Sequence, residues 1–219
     1  MPSTKFLFWN INGKPLAGLI ADLADAHGVE VIILAESKIT VSDLLLALNR
    51  RPTAGFHFCV GLSSAITIFS RFSSAFLKPV FESDRVSIRR LTLPARSELL
   101  LATVHFPSKL YWSNESQVFE CTELARRIVL EEDRLGHRRT VLVGDFNMDP
   151  FEAGMIGAAG LHAVMSRKIA ARDFRTVQGR DYRLFYGSEQ EFDKSHISRG
   201  FPENHEFGFG DGHALRLEQ

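Results

Sequence analysis

The chain has 219 residues, 45% of them hydrophobic and 24% charged, a composition that excludes disorder, collagen and coiled coil and fits one domain spanning residues 1–219. A chain of this length buries about 70% of the surface that its unfolded form exposes. Lys plus Arg equals Asp plus Glu at 26 each, so no global positive field draws in a polyanion and any nucleic-acid site has to be local.

The first strand-like run is Phe6–Trp9. The stretch MPSTKFLFWN around it has one lysine and an apolar run too short for a secretion signal or a membrane span, so a cytoplasmic protein without a membrane partner is expected. Leu16, Leu19, Ile20 and Leu23 share one face of a helix that ends at Gly28. Val29–Leu34 reads as a strand and Val41–Leu48 as a helix with Ser42 as its cap. Further strands follow at His57–Val60, Ala65–Phe69, Val86–Leu93 and Leu99–Val104. Asn114–Leu135 is the longest helical pattern, with Val118, Phe119, Ile128 and Val129 set apart from its charged positions. Thr140–Val143 is a strand, and Pro150–Ala163 a fourth helix opened by Pro150, against which the glycines at 154, 157 and 160 argue. Beyond about Phe185 the periodicity fades into loops with room for one short strand. Cys59 and Cys121 lack zinc or C-x-x-C spacing and read as buried free thiols. Strands mixed with helices, without a repeat, indicate an α/β or α+β sandwich with mixed sheets.

Oxygen- and nitrogen-bearing side chains sit where several of these strands stop. Asn10 and Asn12 follow Phe6–Trp9, Glu36 follows Val31–Ala35, His105 follows Leu99–Val104, and Asp145 and Asn147 follow Val141–Val143. In α/β sheets, ligand sites form outside the carboxyl ends of strands, where rigid elements deliver converging loops. Glu36 and Asp145 with neighbouring carboxamides supply the hard oxygens that Mg²⁺ or Mn²⁺ prefers, and a histidine titrates near neutrality. Each feature alone has a plainer reading: a turn for Asn10-Ile11-Asn12-Gly13, a surface carboxylate for Glu36, a structural histidine for His105.

The ordered set WNIN, the strand ending in Glu36, GLSSAITIFSRF, VHF and GDFN resembles the endonuclease/exonuclease/phosphatase superfamily of metal-dependent phosphoesterases over about residues 5–150. The resemblance implies a four-layer α/β sandwich with two packed mixed β-sheets flanked by helices, and a Mg²⁺- or Mn²⁺-dependent phosphoester hydrolase. A nuclease acting on DNA or RNA is favoured; the alternatives are a small-molecule or lipid phosphatase or phosphodiesterase, or a catalytically weakened binding protein. It also implies roles. Glu36 and Asn10 hold metal, with Asp211 as a further ligand; Asp145 orients or deprotonates water; Asn10, Asn12, Asn147 and Arg71 meet the substrate; and His105 contacts phosphate or protonates the leaving group. The family's terminal Ser-Asp-His has its nearest counterpart in Gly210-Asp211-Gly212-His213, where a glycine separates the two groups. His213 is taken as the terminal histidine and Asp193 as the aspartate that fixes its tautomer, with Asp181 and His196 as alternatives. Arg71, Arg89, Arg90, Arg167, Lys168 and Arg172 are the local basic groups available to a phosphate backbone or to a solvated face.

Overall fold

The computed structural model describes residues 4–50, 55–93, 98–172 and 174–186. In chain order the main elements are β1 (Phe6–Asn10), α1 (Ala17–His27), β2 (Val31–Ala35), α2 (Val41–Leu48), β3 (His57–Cys59), β4 (Ile66–Ser70), β5 (Leu77–Glu82), β6 (Val86–Thr92), β7 (Glu98–His105), α3 (Asn114–Leu135) and β8 (Thr140–Asp145). Short elements follow: α4 (Ala153–Ile156), β9 (Ala163–Val164), α5 (Arg167–Ala170), β10 (Phe174–Val177), β11 (Arg180–Arg183) and β12 (Phe185–Tyr186).

Two four-stranded mixed sheets, ordered β1-β2-β4-β3 and β5-β6-β7-β8, form the centre. β1 runs parallel to β2, and β7 parallel to β8; the other pairs within these two sheets are antiparallel. Side chains alternate across each strand, so every strand feeds two cores. Val31, Ile33, Ile66, Ile68, Leu77, Leu91, Leu101 and Val143 meet between the sheets. Leu7, Ile32, Leu34 and Phe69 point outward onto Ile20, Ala24, Leu44 and Leu48 of α1 and α2. Leu100, Ala102, Val104 and Leu142 pack on Cys121, Leu124 and Ile128 of α3. The result is the helix–sheet–sheet–helix sandwich expected from the sequence. Among the described residues no helix is long and apolar enough to cross a membrane.

Helix ends follow local chemistry. Thr40, rather than Ser42, caps α2 by accepting from Asp43 N at 3.1 Å, because the helix already starts at Val41. Ser113 caps α3 through Ser116 N, and Gly28 and Gly136 close α1 and α3 in the left-handed conformation.

Another expectation is corrected, and one strand lay outside the expected set. The helix expected over Pro150–Ala163 shrinks to the four residues Ala153–Ile156, because its glycines serve close packing. A Cβ on Gly154 would lie 3.0 Å from both Cys121 Sγ and Met148 Sδ, and one on Gly160 would lie 2.4 Å from Gly154 O. β5 escaped the pattern because Pro79 interrupts it; the proline is tolerated at a sheet edge, beside a register shift between Pro79 and Phe81.

Both cysteines are free and buried, as expected. Burial pushes the Cys59 thiol up to about 11 and that of Cys121 up to about 12. Neither is a thiolate near neutrality, so neither should react with a thiol-exchange reagent in the native protein at pH 8, and both should react after unfolding in guanidinium. Rapid labelling of either one without denaturant would contradict this packing.

Candidate active site

Strand alternation delivers the site. Along β1, Phe6 and Phe8 border the core between the sheets, and Asn10 is next on that face. Along β8, Val141 and Val143 lead to Asp145, and along β7, Leu99 and Leu101 lead through Thr103 to His105. The parallel pair β7–β8 sets His105 opposite Asp145, and the parallel pair β1–β2 sets Asn10 opposite Ala35, one residue before Glu36. Four strands from two sheets thus end at one edge of the inter-sheet core.

The side chains meet there. Asn10 Nδ2 donates to Asp145 Oδ2 at 2.8 Å and to Glu36 Oε1 at 3.1 Å, so carboxylates from different sheets lie within two hydrogen-bond lengths of each other. His105 Nε2 donates to the same Glu36 Oε1 at 3.2 Å. The second oxygen of Asp145 accepts from Asn147 N at 3.0 Å, and Asn147 Nδ2 donates to Phe106 O at 2.7 Å, fastening the GDFN turn to the end of β7. Asn10 Oδ1 accepts from Asn12 N at 3.0 Å, and Gly13 N donates to Glu36 O at 2.8 Å. These bonds tie the first loop to the second.

Asp145 is only 4% exposed, whereas the Glu36 side chain is 44% exposed and opens the site to solvent. Glu36, Asn12 and Asn147 all hold positive φ, near 50°. That conformation costs a residue other than glycine roughly 1–3 kcal/mol, and here surrounding backbone bonds hold it.

Of the residues singled out in the sequence, Asn10, Glu36, His105, Asp145 and Asn147 come together. Asn12 sits beside them as the exposed residue of the turn. Arg71 does not join them. β4 runs antiparallel to β2, so Ile66 lies opposite Ala35 while Ser70 lies opposite Val31. Arg71 N bonds Glu30 O, whereas Glu36 N bonds Ala65 O, so Arg71 is six strand steps, roughly 20 Å, from the Glu36 end. There its Nε donates to Val29 O at 3.0 Å and its guanidinium lies over Phe56, so the expected substrate contact is withdrawn. Arg89 is buried in an ion pair with Glu82, and Arg90 lies 3.8 Å from Glu98, so neither is a free phosphate partner. Asp181 is held in the β10–β11 hairpin by Thr176 Oγ1. Asp193, Asp211 and His213, with the alternative His196, lie outside the described residues.

Lys38 was missed in the sequence. It is exposed, and its Nζ would be 3.5 Å from a Cβ placed on Gly13, so it lies across the turn that follows Asn10. Its spacing of two from Glu36, on the same loop, was the signal available.

The donors fit a hard divalent cation. Two carboxylates converge on a point where a partly positive amide and an imidazole N–H offset their charge, and oxygen ligands of this kind suit Mg²⁺ or Mn²⁺ better than zinc. Among the described residues no group of three His, Cys, Asp or Glu side chains is placed to hold a metal ion.

A family model described as "Endonuclease/Exonuclease/phosphatase family" matches residues 7–199. Among curated proteins nothing matches the sequence. Among solved structures, the chain is similar to an endonuclease/exonuclease/phosphatase family protein from Bacteroides thetaiotaomicron, with 14% identity, a TM-score of 0.55, and 100% of this chain and 84% of that chain covered. It is also similar to the catalytic domain of human Nocturnin with bound sulfate anion, with 14% identity, a TM-score of 0.53, and 71% and 70% covered. At such identities these likenesses speak for the fold.

Gly144 tests how the strand ends are set. A Cβ there would lie 2.1 Å from Val104 O and 2.6 Å from Val104 Cγ1, so Gly144→Ala must push β8 off β7 just where His105 faces Asp145. The expected loss is about 3 kcal/mol in denaturant unfolding, at the upper end for overpacking. An unchanged midpoint would show that the two strands do not press together at this point.

Proposed function

We propose that this chain, which belongs to the endonuclease/exonuclease/phosphatase family, cleaves phosphodiesters of DNA or RNA by attack of water, assisted by Mg²⁺ or Mn²⁺. One observation carries the reading: a single amide group, Asn10 Nδ2, serves carboxylates from two different sheets. Bringing two carboxylates this close costs free energy unless positive charge meets them, and a bound cation meets it best.

Glu36, Asn10 and Asp211 are the proposed ligands. When bound, the ion supplies Lewis-acid neutralisation of charge on the phosphoryl and departing oxygens. Hydrolysis of an unactivated phosphodiester needs on the order of 20 kcal/mol of barrier lowering, so the protein side chains must add positioning and proton transfer. Asp145 is held at both oxygens, by Asn147 N and by Asn10. It is thereby oriented to take a proton from the attacking water, with one lone pair of each oxygen already fixed. His105 offers an N–H beside Glu36, suited to a phosphoryl oxygen or to a departing alkoxide. Asn147 spends one amide N–H on Phe106 and keeps the other for the substrate. Asp193 and His213 are proposed as the base-side pair that completes the proton path.

The test is hydrolysis of single-stranded DNA, RNA and a generic phosphodiester with Mg²⁺, Mn²⁺ or EDTA. EDTA should abolish turnover. Glu36→Gln and Asp145→Asn should each lower kcat/KM by about 10²-fold or more while the protein stays folded. His213→Ala should cost roughly 10²–10⁴-fold in kcat. Turnover that persists in EDTA and in both carboxylate variants would sink the assignment.

A further inference from the structure

Tyr111 and Phe151 are among the most exposed large side chains of the described residues, at 81% and 73%. Their places in the chain are related. β7 and β8 run in parallel with His105 opposite Asp145, and each aromatic stands six residues past its strand's site residue, Tyr111 after His105 and Phe151 after Asp145. Two neighbouring strands that deliver the chemistry therefore also deliver an aromatic ring each, on the loops at that edge.

Those loops are joined and braced. Lys109 Nζ bonds Asp149 Oδ2 at 3.4 Å and also Glu152, linking the loop after β7 to the loop after β8. Tyr111 N donates to Ser108 O at 3.0 Å, and Glu152 N to Asp149 O at 3.0 Å, so each ring rides on a closed turn. Trp112, next to Tyr111, lies against buried Phe106 with ring centroids 6.1 Å apart, and Phe106 meets Phe146 edge-on at 6.0 Å. The rings are thus exposed while the backbone carrying them is anchored in the core, which lowers the entropy lost on binding.

Exposed aromatic planes beside a phosphodiester site suit heterocyclic bases. Stacking needs a free base face, which a duplex hides and a single strand offers. Charge argues against a lipid surface: Lys109, the cation that joins the two loops, is paired with two carboxylates, and the chain as a whole has a formal charge of zero, so anionic headgroups find no net attraction. The same charge balance means that affinity must come from stacking more than from counterion release.

We propose that Tyr111 and Phe151 form a two-loop stacking platform that takes unpaired bases of single-stranded DNA or RNA beside the scissile phosphate. This rests on the phosphodiesterase reading and adds to it the strandedness of the substrate and the residues that select it.

Binding of a short fluorescein-labelled oligothymidylate, followed by anisotropy in EDTA, separates recognition from turnover. Tyr111→Ala and Phe151→Ala should each weaken binding about tenfold, with unchanged thermal unfolding, while Tyr111→Trp and Phe151→Trp keep the wild-type Kd. An abasic oligonucleotide of the same length should bind the wild type no better than it binds the alanine variants, and the duplex should bind more weakly than the single strand. Equal Kd values for wild type and both alanine variants would overturn the platform, as would a preference for the duplex. So would binding to phosphatidylserine vesicles that both alanine substitutions remove. Because no step of this assay needs catalysis, base-dependent binding without metal-dependent hydrolysis would refute the phosphodiesterase reading alone, and hydrolysis without the aromatic dependence would refute the platform alone.

Discussion

The constraint on which the rest depends is the two-residue alternation of β-strands combined with the parallel pairing of β1 with β2 and of β7 with β8. Parallel neighbours end together, and alternation fixes which side chains face the gap between the sheets. Asn10, His105 and Asp145 are the next inward positions after Phe8, Thr103 and Val143. A slip of one residue in β8 would turn Asp145 toward α3 and Phe146 toward the polar edge. Gly144 keeps that register tight, since only a residue without a side chain lets β8 approach Val104 so closely. The buried hydrocarbon along these strands is what holds the polar groups at a fixed separation.

The polar edge is costly to build and is stabilised from several directions. Asn12, Glu36 and Asn147 adopt backbone conformations that disfavour a side chain; Asn12 is secured within its own loop by Asn10 Oδ1, and the other two also by neighbouring segments. Glu36 accepts from Gly13 through its carbonyl and donates to Ala65 O at 3.4 Å. Asn147 is held by Asp145 through its N–H and holds Phe106 through its amide. Farther out, buried Arg89 pairs with Glu82 and also donates to Val60 O at 2.7 Å, so the loop before β4 is anchored to the second sheet. Removing one member of such a buried pair leaves the other charge without compensation, which is why pairs of this kind hold loops in a single position. The strain at the site is therefore supported by a rim that spans both sheets.

Much of the fold was legible in the sequence because long apolar runs carry an unambiguous period. The strand runs Val29–Leu34 and Leu99–Val104 and the amphipathic α3 were readable for that reason, and the resemblance over about residues 5–150 added the order of the layers. Glycine and proline confused the reading where they serve packing rather than punctuation. The glycines at 154, 157 and 160 let α4 nest against Cys121 and Met148, and Pro79 sits harmlessly at a sheet edge.

What the sequence determined by itself was which residues are chemically suited to the site and that each follows a buried strand: Asn10, Glu36, His105, Asp145 and Asn147. What only the tertiary structure decided was who meets whom. Arg71 has the right chemistry, but β4 runs antiparallel to β2 and carries it to the opposite end; Lys38 drew no notice in the chain and lies across the turn after Asn10. The physical reason is that side-chain character is local to a residue, whereas direction and register of a strand are set by partners far away in the chain. Asn10 and Asp145 are 135 residues apart and still share a hydrogen bond.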